Sequence, residues 1–335
     1  MSERIRLRRS AAALLVAAVT TGSALLLTAC DPEGGDSPAT TAAPSKAADS
    51  PAADAPSAGA EGSSAPAAGG KLNKTAGTKL TVSTGTNTVL MDGKAVDFGT
   101  VVRDLAWSPD GKHAAFVDGS GNLEISDPDG GHKTVVAKAP SGTTWSHPTW
   151  QVYGPDEPHG AGTFLLFTAD DKKALRLLSV EAKANAKPEP LRVGDSEDQK
   201  PLPDTGNLWP NSAGQAGMTV YANKNDNQVY YHDVLSRTNG GVLTKGSQPA
   251  IADDGELVFV RSSNGHSHIF AVAKEQGSKE VDLTPDATAD YTQPVISHDG
   301  KNVAFRGPDG IYTVSVKGGK AEKVTDTVGL PAYRG

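Results

Sequence analysis

DLAWSPDGK at 104–112 has four counterparts further along the chain: HPTWQ at 147–151, NLWPNSAGQ at 207–215, QPAIADDGE at 248–256 and QPVISHDGK at 293–301. Each opens with two to four apolar or small residues, and four of the five reach a turn ending in glycine, at Gly111, Gly214, Gly255 and Gly300. A spacing of roughly 40 residues with strand-like content marks a stacked array of small antiparallel sheets, which in a chain of this size means a propeller.

The clearest unit runs from 104 to 138. DLAW, HAAFVD, NLEISD and KTVVAK read as four strands, separated by SPDGK, GSG and PDGG. Those turn clusters hold the residues that accept positive φ or fix φ near −65°. Four strands per unit is one blade, and the phase recurs at 147–195, 207–244, 248–284 and 293–325. A sixth unit is split between the ends of the sequence. LPAY at 330–333 reads as an opening strand with nothing after it, and KLTVST, TVLMDG and KAVDFG at 79–99 read as three closing strands with no opener. Joining them predicts an all-β, six-bladed propeller, closed by pairing of 79–99 with 330–333 and free of exposed inner edges. Residues 163–187 lack Gly and Pro and favour a helix on propensity. Repeat phase overrides this and makes TFLLFT and LRLLSV two strands with ADDKK as their turn.

Three regions follow. In residues 1–29, Arg4, Arg6, Arg8 and Arg9 precede an apolar run from Ala11 to Leu27, the pattern of a secretory signal. Residues 30–78 are rich in Ala, Pro, Ser and Gly and lack aromatics, so they bury too little apolar surface to offset ordering entropy and form a tether. Its r.m.s. span is about 40 Å. Residues 79–335 are the propeller. Without residues 1–29 the chain keeps 28 basic and 38 acidic residues, a net of −10, which repels phosphate and excludes nucleic acid as a partner. Cys30 is the sole cysteine, so no disulfide supports the fold.

Two resemblances add to this reading. Leu27-Thr28-Ala29-Cys30 resembles the lipobox of bacterial lipoproteins. It implies cleavage before Cys30, acylation of its thiol, and anchorage at the outer face of the cytoplasmic membrane. AWSPDGKHAAFV and VISHDGKNVAFR resemble the WD-like repeats of TolB-type propellers, over roughly 79–335. This second resemblance implies six blades and an interaction role in the cell envelope. TolB proteins differ in carrying an amino-terminal domain where this chain has its tether, and in being soluble.

Asp104, His147, Asn207, Gln248 and Gln293 precede the Leu or Pro of their openers, with Leu330 as the sixth member. In a closed ring they would converge on one mouth, and concave mouths with convergent polar groups are default ligand sites. Trp145 and Tyr291 are expected outside the strands near the same openers, where aromatics add binding surface, whereas Trp107 and Trp150 read as wedges between blades. No Gly-x-Ser-x-Gly motif is present, and His159-Gly160-Ala161-Gly162 reads as an insertion. His266 and His268 read as a surface hairpin, and Asn223, Asn225 and Asn227 as a solvated turn, without a metal. The expectation is a monomeric, non-catalytic and cofactor-free module that binds an envelope protein, a peptide or a glycan. The alternative, a hydrolase or lyase at the mouth, needs paired carboxylates, and repeat phase supplies Asp104 alone.

Overall fold

The computed structural model describes residues 72–156, 161–196, 200–213, 217–233, 240–273 and 278–335. The leader, Cys30, the tether up to residue 71, Gly214 and His159-Gly160 lie outside the described residues. The elements of the described residues are all strands, arranged in six four-stranded antiparallel sheets. In five of these blades spatial order follows chain order. Their openers are Arg103–Trp107, Thr144–Tyr153, Asn207–Ser212, Ser247–Ile251 and Thr292–Ile296.

The sixth blade is composite, as the split repeat predicts. Leu330–Tyr333 opens it, and Leu80–Ser83, Thr88–Met91 and Lys94–Asp97 complete it. The joining register is Leu80↔Tyr333, Thr81↔Ala332, Val82↔Pro331 and Ser83↔Leu330. Each opener packs against the next, from Arg103–Trp107 round to Leu330–Tyr333 and back, so the six line a central channel. A proline lies in five of them, at Pro148, Pro210, Pro249, Pro294 and Pro331. Proline donates no ladder hydrogen bond, which suits a strand whose inner edge faces a channel and blunts that edge against further pairing.

Apolar packing is divided by the gaps between blades. Six buried clusters occupy the six gaps. One joins Met91, Phe98 and Ala332 of the composite blade to Trp107 and Phe116, and another joins its Leu80, Val82 and Leu90 to Ala304 and Ile311. An aromatic fills the same position on the second strand of five blades, at Phe116, Phe167, Tyr221, Phe259 and Phe305, and each is fully buried. The helix-prone segment forms Gly162–Asp170 and Leu175–Glu181, paired through Leu177↔Thr168 and Leu178↔Phe167. Propensity yields here because the gap needs Leu165, Phe167 and Val180 on one sheet face. Asp171 closes the turn between these strands by accepting from the Lys173 and Ala174 amides at 2.9 and 2.8 Å.

The Ser-x-Asp-Gly-Lys turns have one internal design. Ser108 Oγ donates to Asp110 Oδ1 and Ser297 Oγ to Asp299 Oδ1, both at 2.7 Å. The same hydroxyls accept from the His113 and Asn302 amides, both at 3.0 Å. Gly111 and Gly300 take φ of 66° and 67°, the left-handed conformation that favours glycine. Hydrogen bonds from Lys301 and Ser297 hold the Asp299 carboxyl at about 2, so the turn keeps its charge at ordinary pH.

The folded body begins earlier than residue 79. Lys74 N donates to Val324 O at 2.9 Å, Asn73 forms a bridge with Thr325, and Thr75 is fully buried. The segment 72–78, read above as tether, thus lies against the outer strand of the fifth blade.

One side chain ties together three segments distant in sequence. Thr81 Oγ1 donates to Ala332 O and accepts from Trp107 Nε1, both at 2.9 Å, with all three groups buried. Thr81→Val keeps the shape but leaves the buried Trp107 indole N–H unpaired and removes the second hydrogen bond to the Ala332 carbonyl. The expected loss is about 1–3 kcal/mol in chemical denaturation; an unchanged midpoint and slope would show that the clasp contributes nothing.

Candidate functional site

Five openers carry a β-bulge at one shared position. The residues at its crest are Asp104, His147, Trp209, Gln248 and Gln293, with φ between 50° and 53°. Left-handed backbone costs a non-glycine residue about 1–2 kcal/mol, so five in register are held there by the ring. A bulge turns its side chain out of the strand's regular alternation. Here the crest residues are half-buried and line the channel, while the next residue of each opener, Leu105 or a proline, is buried. Leu330 occupies the sixth place without a bulge.

The crest side chains form part of a lateral hydrogen-bond ring. Asp104 Oδ2 accepts from the His147 amide at 3.1 Å, and Gln248 Oε1 from the Gln293 amide at 2.6 Å. Thr168 Oγ1 accepts from the Trp209 amide at 3.1 Å. Two residues further along the openers, Thr149 Oγ1 accepts from Ser212 N at 3.1 Å and Asn211 Oδ1 from Ile251 N at 2.8 Å. These polar groups stitch blade to blade where no ladder reaches. One group is left over: His147 Nε2 is buried without a partner. Desolvation pushes the His147 imidazole below its ordinary value, opposed by the Asp104 charge and by the facing Gln293 side chain, and Trp209 meets its ring edge-on at 6.0 Å. The imidazole is therefore neutral at pH 7.

Two connected cavities follow the axis. The channel holds about 160 Å³, and a wider mouth of about 480 Å³ opens where the openers begin. Asp104, His147, Gln293 and Leu330 line both. Arg103 and Arg306 border the wide mouth. At the opposite end, where the openers finish, Trp107, Trp150 and Tyr333 stand near Asp253 and His298, which lie 3.4 Å apart.

The structure gathers Asp104, His147, Gln248 and Gln293 as the sequence suggests, and it corrects three other members of the set. Asn207 lies two residues before the crest, is buried, and bonds to Pro203 O and Asn223 Nδ2; Trp209 takes its place. Trp145 is inside the strand Thr144–Tyr153, 4% exposed, packed on Phe167 at 4.8 Å. Tyr291 precedes its strand but packs on Phe305 and Tyr312 at 4.8 and 5.5 Å, away from both cavities. Trp107 and Trp150 wedge between blades and also border the channel. His268 is fully buried beside Asp282 at 2.8 Å, inside a blade and not on a surface hairpin, and Asn223 is buried, outside any solvated turn. No group of three or more potential metal-ligating His, Cys, Asp or Glu occurs among the described residues. Trp209 was legible from its proline, since Trp209-Pro210 matches His147-Pro148, Gln248-Pro249 and Gln293-Pro294. Nothing in the repeat pattern marks Arg103 or Arg306.

No protein-family model matches the sequence, and no curated protein matches it. Solved structures do resemble the fold. A putative TolB from Agrobacterium tumefaciens superposes with a TM-score of 0.53 at 18% identity, covering 73% of this chain and 87% of that one. TolB from Acinetobacter baumannii gives a TM-score of 0.52 at 16% identity, covering 76% of this chain and 65% of the other. An oligogalacturonate lyase in complex with manganese gives 0.46 at 15% identity, covering 71% and 69%. The chain thus has the six-bladed propeller fold of TolB-type proteins.

Proposed function

We propose that this chain is an extracytoplasmic binding module, anchored at the outer face of the cytoplasmic membrane through acylated Cys30. It presents the mouth of a rigid propeller to an envelope protein, a peptide or a glycan. One observation carries the reading: four polar crest side chains, held in left-handed backbone, converge on a water-accessible channel. Convergent polar groups in a concave site fix orientation, and a preorganised ring loses little entropy on binding. Among the described residues, 24 strands in six sheets packed on one another supply that rigidity. The tether supplies reach, and two acyl chains give lasting attachment without a basic patch. The acidic balance argues against nucleic acid, and the module acts as a monomer.

A catalytic role has less support. Asp104 and Asp253 are the carboxylates bordering the channel, and they sit toward opposite ends of it, whereas glycoside hydrolysis uses two carboxylates flanking one bond. Asp104 also spends an oxygen on the ring. The imidazoles of His147, neutral beside Asp104, and of His298, beside Asp253, are the groups with acid–base potential, and they too lie toward opposite ends of the channel.

Three outcomes are expected. Cross-linking and affinity purification of the membrane-anchored chain should recover partners that the double variant Gln248→Ala, Gln293→Ala loses, with its melting curve checked in parallel; recovery unchanged by a folded variant would move the site elsewhere. Cys30→Ala should release the protein from membranes and remove the acyl mass from its amino-terminal peptide, and continued membrane partition would end the anchoring proposal. His147 has a folded-state pKa below the unfolded value, so the unfolded chain takes up the proton first as pH falls. The associated stability is present above about pH 6.5 and declines below it. His147→Gln should therefore flatten the stability profile below that pH, and a slope equal to the parent's would place the imidazole in a different environment.

A further inference from the structure

The wide mouth is chemically unlike the rest of the surface. The chain as a whole carries a net charge of −7, yet two guanidinium groups border this cavity against a single carboxylate, Asp104. Asp104 directs an oxygen inward to the His147 amide. Arg103 is fixed by donating from Nη2 to the Asp118 carbonyl at 2.7 Å, which leaves its other N–H groups available. The Asp118 carboxylate does not answer it, because it accepts from Ser120 N, Asn122 N and Asn122 Nδ2 at 2.8, 2.7 and 2.9 Å within its own turn. Arg306, exposed on the second strand of the fifth blade, has no hydrogen-bond or ion-pair partner among the described residues. The Ser83 hydroxyl borders the same cavity, is 2% exposed and is also unpartnered.

Donors therefore outnumber acceptors at this mouth, and the fitting ligand group is acceptor-only. A carboxylate is such a group, with two oxygens matched to the guanidinium fork. His147 and Gln293 stand where the mouth meets the channel, the Thr84 hydroxyl is engaged by Thr86 and the Thr88 carbonyl, and the outer wall is formed by Val328 and Leu330 beside the backbone of Gly329. A hydroxyl-rich acidic sugar would find few partners on that wall, while an aliphatic side chain would cover it. The mouth, of about 480 Å³, leads past Asp104, His147, Gln293 and Leu330 into the axial channel of about 160 Å³. A chain end can enter such an axial opening directly, whereas an internal segment must double back.

We infer that the Arg103–Arg306 mouth captures the C-terminal carboxylate and apolar last residue of a partner polypeptide. This rests on the mouth-binding reading above and names its ligand chemistry. Arg306 supplies the free fork, Arg103 a second and oriented charge, and Val328 with Leu330 the seat for the side chain. In an otherwise acidic molecule the paired cations also focus an attractive potential on the opening.

The test uses the purified propeller-bearing chain and a pool of hexapeptides randomised at the last three positions, read by mass spectrometry after equilibrium capture. The pool is prepared with free C-termini and, separately, amidated; a uronic-acid disaccharide forms a third arm. Free-acid peptides ending in Leu, Val or Ile should be enriched. Amidation or Arg306→Gln should weaken selected peptides about tenfold or more, the scale of one charge-assisted hydrogen bond. Arg306→Lys, which keeps charge without the fork, should recover part of the loss. Equal capture of amidated peptides, enrichment of internal Asp or Glu in place of the terminus, preference for the uronic acid, or no enrichment would each overturn the inference. Repeating the cross-linking capture with Arg306→Gln separates the two readings. Partners lost with the Gln248/Gln293 double variant but kept with Arg306→Gln would leave the binding mouth standing and remove the carboxylate, while partners kept with both would remove both.

Discussion

Everything in this domain depends on one backbone ladder between residues some 250 positions apart. Leu330–Tyr333 lies antiparallel to Leu80–Ser83, and through it the composite blade gains its opener. Without that strand the composite blade loses its inner edge, and the clusters around Phe98 and Phe116 and around Leu80 and Ala304 lose Ala332 and Tyr333. The contact is long in sequence, so its loop-closure entropy must be recovered by the ladder and by both clusters together. Thr81 shows how tightly the join is specified, since one hydroxyl is shared by a carbonyl of the closing strand and an indole of the first blade.

Closure has a consequence at the axis. The six openers are edge strands, each paired only with the next strand of its own blade, so no ladder joins them across the axis. Their inner backbone groups need other partners. The bulges at His147, Trp209 and Gln293 answer that need by turning their amides toward the neighbouring blade, where Asp104, Thr168 and Gln248 accept them. The polar ring is first a structural device. What remains for a ligand is what the ring does not use: His147 Nε2, the side-chain amides, and the arginines at the wide mouth. On the proposed binding reading, structural and ligand-facing roles divide a single set of residues atom by atom.

Much of the fold was legible because the repeat is carried by local signals. Turn chemistry in Ser-Pro-Asp-Gly-Lys and Ser-His-Asp-Gly-Lys depends on residues at most five apart, and the two turns form the same bonds. The phase of the strands overrode the helical look of 163–187, rightly, because each blade contributes to two shared gaps. The site was read less well. Aligning Asn207 by its following leucine, as in Asp104-Leu105, missed the crest by two residues, because the proline that marks the crest at His147, Gln248 and Gln293 follows Trp209 here. Trp145 and Tyr291 looked peripheral by position, yet both fill inter-blade space that exists only once neighbouring blades are in place. Residues 72–75, with the composition of a tether at their edge, are held by the fifth blade rather than by any preference of their own.

The amino-acid sequence by itself determined the number of blades, the strand pattern of each, and the complementary ends that close the ring. These follow from turn residues and alternating apolar positions, which act over a few residues and repeat. Tertiary structure alone decided that Asn207, Trp145 and Tyr291 turn away from the axis, and that Arg103 and Arg306 share one mouth. Convergence at an axis depends on bulges, on the close packing of six separate openers, and on contacts between residues as far apart as 103 and 306. No local pattern encodes those distances, because they are properties of the closed ring.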